Sequence, residues 1–385
     1  MSERHLHIIS FDIPYPANYG GVIDVYYKLQ ALKNAGIKVH LHCFEYWRKP
    51  SEVLKGLCRS VHYYPRHTGL RAALSIAPYI VASRRSDKLL ETLLADDYPI
   101  LFEGLHSCHY INHPLLSKRI KIYRESNIEH HYYFNLAKVD PNPLKKLYFL
   151  AASLKLRNYQ RVLKHASLML AVSKADMLYL RKQFKSVPVE FLPSFHPNYD
   201  LHIPEGTGDY VLYHGNLMVA ENLVAAKFLI REVFGHSRNR LVLAGMNPPS
   251  SLQKLVKQFP NIEMHCNPSD EQLFNLIRNA QVHVLVTFQA TGLKLKLLNT
   301  LYNGRHVVVN NAMLNGTGLE QLCHIANTPA EIISAVNTLF AIPVSEHQRQ
   351  LRLAELENNF SNEKNAGKLI EFIFGNRHNA PTLTL

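Results

Sequence analysis

Several absences narrow the reading of this sequence before any motif does. Its five cysteines (43, 58, 108, 266 and 323) are odd in number, scattered, and nowhere spaced as CxxC. That excludes a zinc ribbon or a disulfide-stapled scaffold and suits a reducing, cytoplasmic setting. No run approaches the roughly 20 apolar residues of a membrane-spanning helix. The chain enters an apolar strand almost at once, Leu6 to Phe11, so no secretory leader is expected. A GxGxxG fingerprint is missing, which leaves a nicotinamide cofactor little support. The 22 histidines suggest no metal centre, since the adjacent His130 and His131 would diverge on most backbones. We therefore expect no metal and no cofactor.

Acidic residues are also few, and unevenly so. Residues 1–200 hold 28 Lys and Arg against 16 Asp and Glu, so nearly all of the net charge of +13 lies there. A basic first half beside a neutral second half implies an anionic partner such as a phosphorylated small molecule, an anionic membrane surface or nucleic acid, or else serves solubility alone. Nucleic acid fits least, because no single element clusters arginines with exposed aromatics. The stretch with Arg66, Arg71, Arg84, Arg85 and Lys88, interleaved with Leu74, Ile76 and Tyr79 to Val81, has the composition of a peripheral membrane-surface element on the inner face. A solvated helix face would have the same composition.

What is present is a folded α/β chain. With 385 residues, 47% apolar and 19% charged, it is too long for one ordinary core. Strand His7 to Phe11, the loop Asp12 to Gly21, a helix from Val22 to Ala35 and strand Val39 to Phe44 form the β-loop-α-β opening of a doubly wound domain. Gly20 and Gly21 let this loop approach a ligand closely, or simply let it turn. Further strands are expected at Val61 to Tyr64, Ile100 to Phe102, Ile120 to Arg124 and Leu168 to Val172, and one long helix from Leu144 to His165. Glu103 and His106 fall just past a strand end, where such domains place functional groups, with His109 as a competing candidate.

Residues 196–209 have linker composition, rich in proline and glycine. A second β-α-β series then begins at Tyr210, with a helix from Asn222 to Phe234. We therefore expect a first domain over 1–195, the linker 196–209, a second domain over 210–359, and a helix over 360–375 that crosses back to the first. The second series contains the stretch around which the chain is organised. Strand Val282 to Val286 leads through Thr291 and Gly292 into a helix with apolar positions at 295, 297, 298 and 301. Backbone N–H groups of Gly292, Leu293 and Lys294 at that helix start can point at a phosphate, with Lys294 and Lys296 adding positive charge beside them.

These pieces together resemble the GT-B glycosyltransferases, in particular the retaining family-four group that uses nucleotide-sugars. The likeness rests on the loop Pro16 to Gly21, Arg124-Glu125-Ser126-Asn127-Ile128-Glu129-His130, Ala171-Val172-Ser173, Tyr213-His214-Gly215-Asn216, and Thr291-Gly292-Leu293-Lys294-Leu295-Lys296-Leu297-Leu298 followed by Gly304. It implies two Rossmann-like doubly wound domains facing a central cleft. It also implies sugar transfer from a nucleoside diphosphate-sugar to a saccharide or lipid-linked acceptor, with retention and without a metal, as in cell-surface polysaccharide or lipopolysaccharide synthesis. By position, Gly20, Gly21, Gly215, Asn216, Thr291, Gly292, Leu293, Lys294, Lys296 and Asn299 would bind the donor. His106 and Glu103 would serve catalysis, and Asn127, Glu129 and His130 the acceptor. The sequence departs from that family at four positions. Gly292 and Asn299 stand where the family has a pair of Glu, Asn216 replaces a usual Arg, and Glu221 a usual Lys. These departures keep two other readings open: a non-catalytic GT-B protein binding a nucleotide or partner, and a nucleotide-sugar epimerase.

Overall fold

The computed structural model describes residues 3–140, 142–288 and 294–375. The chain folds as two compact units, one of Met1–Phe195 with Asn359–Leu385 and one of His196–Asn358. The first unit is built on a parallel sheet of β1 (His5–Ile9), β2 (Lys38–Glu45), β3 (Ser60–Pro65), β4 (Ile100–Glu103), β5 (Lys121–Glu125), β6 (Leu168–Ala171) and β7 (Val189–Phe191). The strand order is β3-β2-β1-β4-β5-β6-β7. In this register Ile8 of β1 lies opposite Leu41 of β2 on one side and Leu101 of β4 on the other. The winding reverses between β1 and β4, so the carboxyl ends of those two strands flank the crevice in which doubly wound sheets bind ligands.

The second unit repeats this plan with β8 (Val211–His214), β9 (Leu241–Gly245), β10 (Ile262–Cys266), β11 (Val282–Leu285), β12 (His306–Val309) and β13 (His324–Ile325). They are arranged β10-β9-β8-β11-β12-β13, all parallel, with the reversal between β8 and β11. Every residue of β11 and β12 is buried. That explains their near-continuous apolar runs, since helices cover both faces of such a sheet.

Alternation along the strands of the first unit feeds two cores. Ile9, Phe102, Tyr123 and Met169 pack on one face, and Ile8, Leu101, Ile122 and Leu170 on the other. Helix Asn362–Phe374 joins the second of these cores through Leu369 and Ile373, beside Val25 and Leu29 of helix Gly20–Asn34. Part of the histidine surplus is absorbed across β1, β2 and β3. His7 Nδ1 lies 2.8 Å from His42 Nε2, His42 Nδ1 lies 2.9 Å from the Tyr64 hydroxyl, and His7 Nε2 reaches Asp96 at 3.0 Å. Burial holds His7 and His42 below the ordinary imidazole range, so these side chains act as neutral hydrogen-bonding links.

The structure corrects two helix expectations. The stretch Leu144 to His165 is not one helix: Pro143–Tyr159 is helical, started by the Asn142 side chain on the N–H groups of Leu144 and Lys145, and Gln160–His165 tightens into a 3-10 segment. A separate helix, Glu129–Val139, precedes it. The helix expected from Asn222 to Phe234 runs instead from Ala220 to Phe228, and then widens into a π turn at Leu229–Val233.

A buried ion cluster ties the first unit together beneath its crevice. Lys28 Nζ lies 2.7 Å from Glu103 Oε1 and 3.0 Å from Asp24 Oδ2, and Arg124 lies 3.5 Å from Asp24 Oδ1. Arg124 also donates to the carbonyls of Leu192 and Pro193, and Asp24 Oδ1 accepts the Phe195 N–H at 2.7 Å. Burial alone would raise Asp24, but Lys28 and Arg124 outweigh it and hold the carboxyl below its usual value. Glu103 therefore belongs to the interior. Glu103 is 3% exposed and faces Lys28, and burial holds its carboxyl above the usual value against the pull of Lys28.

Candidate functional site

In the first unit the candidate site grows from the carboxyl ends of β1 and β4. Helix Gly20–Asn34 starts here with Tyr19 as its N-cap, and no side chain caps it. The first-turn N–H groups are thus left for another acceptor, at the positive end of the helix dipole. The two glycines serve different needs. A Cβ at Gly21 would stand 2.5 Å from Phe11 Cζ, whereas at Gly20 nothing lies within 4 Å. Gly21 lies close against the Phe11 ring, which would have to shift for any larger residue, and the space in front of Gly20 is open.

Phe11 also packs against His106, with ring centroids 5.5 Å apart. Gly104, at φ +69°, turns the chain out of β4 so that His106 stands over this corner. The His106 Nδ1 atom is buried, has no hydrogen-bond partner, and lies 3.7 Å from Glu129 Oε1. Arg84 closes the group from below, donating to the carbonyls of Phe11 (2.7 Å) and Ile80. Burial, with Arg84 and Arg66 nearby, pushes His106 well below the ordinary imidazole value. Burial raises Glu129 to about 8, against the opposing pull of Arg84. The pair is therefore a neutral imidazole beside a protonated carboxyl near pH 7, able to accept from and donate to hydroxyl groups.

The three residues assigned to the acceptor separate. Glu129 turns to His106, while His130, its neighbour on the same helix, turns to the Tyr179 hydroxyl at 3.2 Å. Asn127 is half-buried, with its N–H given to Glu125. Burial of Arg84, which is 5% exposed, also corrects the surface reading of the basic stretch. Arg84 is a structural cation, and Arg66 is half-buried over the Tyr46 and Tyr79 rings.

In the second unit the candidate donor site lies at the carboxyl ends of β8 and β11. Thr291, Gly292 and Leu293 fall outside the described residues. The groups that flank them are described. Lys294 Nζ pairs with Glu221 Oε1 at 3.0 Å, and Thr287 Oγ1 donates to the same carboxylate oxygen. Lys296 is not a loose surface cation. Its Nζ donates to Asn222 Oδ1 at 2.9 Å and sits 4.9 Å above the Tyr213 ring. Burial lowers its pKa to about 8, Glu221 opposing and Lys294 assisting. Asn222 Nδ2 in turn holds the Asn216 carbonyl at 2.9 Å, beside Gly215, where a Cβ would meet that amide at 3.2 Å. Helix Leu295–Asn303 opens from Lys294 without a side-chain cap, so its first N–H groups face this corner. Asn299 Oδ1 already accepts from Asn198 Nδ2 at 2.8 Å, which leaves it one lone pair for a further donor.

Sequence reasoning missed Glu221 and Asn222 as partners of the two lysines, and Arg84 as the cation beneath His106. Nothing in their spacing marks those pairings, which arise where separate βα turns converge.

Two predictions follow from these charges. Between pH 4.5 and 8 the unfolded chain ionises Glu129 while the folded chain keeps its proton, so the wild-type carboxyl destabilises the fold as pH rises. Glu129→Gln should therefore raise stability at pH 7 by about 3 kcal/mol, with no gain at pH 4. Urea unfolding at both pH values checks this, and an equal effect at both would show that Glu129 is not held neutral. Lys296 binds an anion only when protonated. Nucleoside diphosphate affinity should fall by up to about tenfold per pH unit above pH 8, and Lys296→Arg should flatten that decline. Calorimetry from pH 7 to 9.5 decides, and the same decline in both proteins would remove Lys296 from the site.

No family model matches the chain. It is 26% identical over 335 residues to an uncharacterised 44.6 kDa protein in the cps region of Klebsiella pneumoniae, covering 81% of this chain and 84% of that one. Among solved structures it is similar to TarM (TM-score 0.65, 10% identity, 97% of this chain and 99% of that one). It is similar to WaaG, a glycosyltransferase involved in lipopolysaccharide biosynthesis (TM-score 0.64, 10% identity, 96% and 100%). A third likeness is to HepE of Anabaena in complex with UDP and glucose (TM-score 0.63, 11% identity, 95% and 98%). With two parallel α/β units wound in this way, the chain has the GT-B glycosyltransferase fold.

Proposed function

We propose that this protein transfers a sugar from a nucleoside diphosphate donor to a saccharide or lipid-linked acceptor in cell-surface polysaccharide assembly, with retention and without a metal. The observation that carries the reading is the pair Lys294 and Lys296 at the start of helix Leu295–Asn303, at the winding reversal of a GT-B unit. Loss of a diphosphate leaving group builds negative charge. A held ammonium and helix N-terminal N–H groups stabilise such charge best when they are fixed in advance. Lys296 meets that condition through Asn222 and Tyr213. In the first unit, neutral His106 and protonated Glu129 are suited to hold sugar hydroxyls, and His106 is the residue assigned to the reacting sugar. The cps-region relative and the lipopolysaccharide enzyme among the structural neighbours support a polysaccharide setting.

The non-catalytic reading draws on Asn216, Glu221 and Asn299. The epimerase reading needs paired acid and base carboxylates, and Glu103 is withdrawn into the ion cluster. A panel of nucleotide-sugars incubated with the protein and followed by mass spectrometry separates the three. Transfer or slow donor hydrolysis is expected, with turnover lost in His106→Ala while nucleotide affinity stays within about twofold. Conversion to an isomer would establish the epimerase, and tight binding without any turnover the non-catalytic protein.

An acceptor anchored in lipid would be met at the inner face of a membrane. Among the described residues no helix is long and apolar enough to cross one. The first unit does expose Leu70, Leu74, Ile76, Leu144 and Leu147, with Ile76 98% accessible. These flank one cavity lined by Ala73, Tyr79, Tyr148 and Ala151, and Arg71, Lys145 and Lys146 lie exposed among them. Apolar side chains amid cations suit an anionic bilayer, at roughly 1 kcal/mol per basic residue near the surface. Sedimentation with phosphatidylglycerol vesicles should recover the protein at low salt and less at high salt. Leu74→Asp with Ile76→Asp should abolish recovery without changing nucleotide affinity. Wild-type protein that stays in the supernatant at low salt would overturn this part of the proposal.

A further inference from the structure

The first unit contains a cavity of about 580 Å³ that none of the preceding chemistry uses. It lies among helices Glu129–Val139, Pro143–Tyr159 and Lys174–Gln183, and its size falls within the range of small-ligand sites. Three features give it a chemical character. Arg157 and Arg161 line it, neither guanidinium has a carboxylate partner among the described residues, and no Asp or Glu belongs to the lining. Phe134 and Tyr179 also line it, with Lys138 Nζ 4.5 Å over the Phe134 ring. Gln160, 5% exposed, also lines it, with its amide nitrogen buried and its side chain within hydrogen-bonding reach of His130.

The cavity is also held in shape. Ser153 Oγ donates to the His130 carbonyl at 2.7 Å, joining two of the helices, and the Tyr179 hydroxyl meets His130 Nε2 at 3.2 Å, joining the third. His130 is lowered to about 4 by burial, with His131 and Arg157 adding to the effect. At neutral pH it is therefore a hydrogen-bonding group, and the positive charge of the cavity comes from its arginines.

We propose that this cavity binds an anionic saccharide, a sugar ring bearing a carboxylate or a phosphate. Planar guanidinium groups recognise carboxylate and phosphate oxygens in pairs. Aromatic faces take the apolar side of a pyranose ring, and amide and imidazole groups take its hydroxyls. Isolated cations would select any anion, and aromatic walls alone would select any sugar. The combination selects a molecule that is both. Calling that molecule the acceptor rests on the proposed transferase function, but the binding claim does not.

Calorimetry on the full-length protein tests the binding claim with four probes: a glucuronic acid-containing disaccharide, a hexose phosphate, a neutral disaccharide and inorganic phosphate. One or both of the first two should bind at least tenfold more tightly than either of the last two, and which one binds identifies the anion. Arg157→Ala and Arg161→Ala should each reduce that affinity at least tenfold, and Arg157→Lys by less, while nucleoside diphosphate affinity stays unchanged. Equal affinity for the neutral disaccharide, equal affinity for inorganic phosphate, or full affinity in both alanine variants would overturn the proposal. Saccharide binding in a protein that shows no nucleotide binding would sustain this site and sink the transferase reading.

Discussion

The first unit depends on a charge balance hidden beneath its candidate site. Asp24, Lys28, Glu103 and Arg124 bring two anions and two cations into an interior where any one alone would be prohibitive. Such a cluster is weak evidence for net stability, since well-packed apolar side chains often do as well. Its effect is on geometry. Lys28 ties helix Gly20–Asn34 to the end of β4, and Arg124 ties β5 to the carbonyls of Leu192 and Pro193. Removing one partner leaves an unpaired buried charge, at about 3–5 kcal/mol. The elements that carry Gly20, Gly21 and His106 are thereby held in one register.

The second unit reaches the same end with arginines on backbone carbonyls. Arg305 donates to the carbonyls of Glu205, Gly206, Arg278 and Ala280, and Arg352 to those of Gly304 and Arg305. A planar guanidinium can satisfy several such acceptors at once. This matters where the chain is irregular, because a buried carbonyl without a helix or sheet must find a donor elsewhere. Residues 204–208 lack regular structure, yet their polar groups are met by Arg305, by Arg349 and by the Gln281 side chain.

Much of this was legible in the sequence because both sheets are parallel. Buried strands read as short apolar runs, and β1, β2, β4, β5, β6, β8 and β11 were marked out by them. The strands β7 and β13, of three and two residues, are too short to show a period. Helix boundaries were misplaced where the backbone departs from the α form, at the 3-10 segment Gln160–His165 and the π turn Leu229–Val233. The site was legible by position and not by orientation. Glu103 and His106 are three residues apart, and strand-end placement marks both, but a rotation of the chain at Gly104 sends one into the ion cluster and leaves the other at the surface corner. The partners of a charged side chain lie on other turns of the fold, which is why Arg84 read as a surface cation and Lys296 as a mobile one.

The departures Asn216 and Glu221 look, in sequence, like the loss of two positive charges from a phosphate site. In the folded unit Glu221 faces Lys294. Asn216 no longer supplies a cation, but its carbonyl anchors Asn222, and Asn222 anchors Lys296. In this chain the positive charge stands on the helix after β11, and the turn after β8 supports it through Asn222. Lys294 is partly neutralised by its own carboxylate, and among the described residues Lys296 donates to neutral groups and sits over an aromatic face. A cation paired with a carboxylate gives a ligand little, whereas one held by an amide keeps its charge available. On the proposed transferase function, Lys296 would be the principal anion contact of this corner and Lys294 a steering charge, and the departures would mark a rearranged donor site.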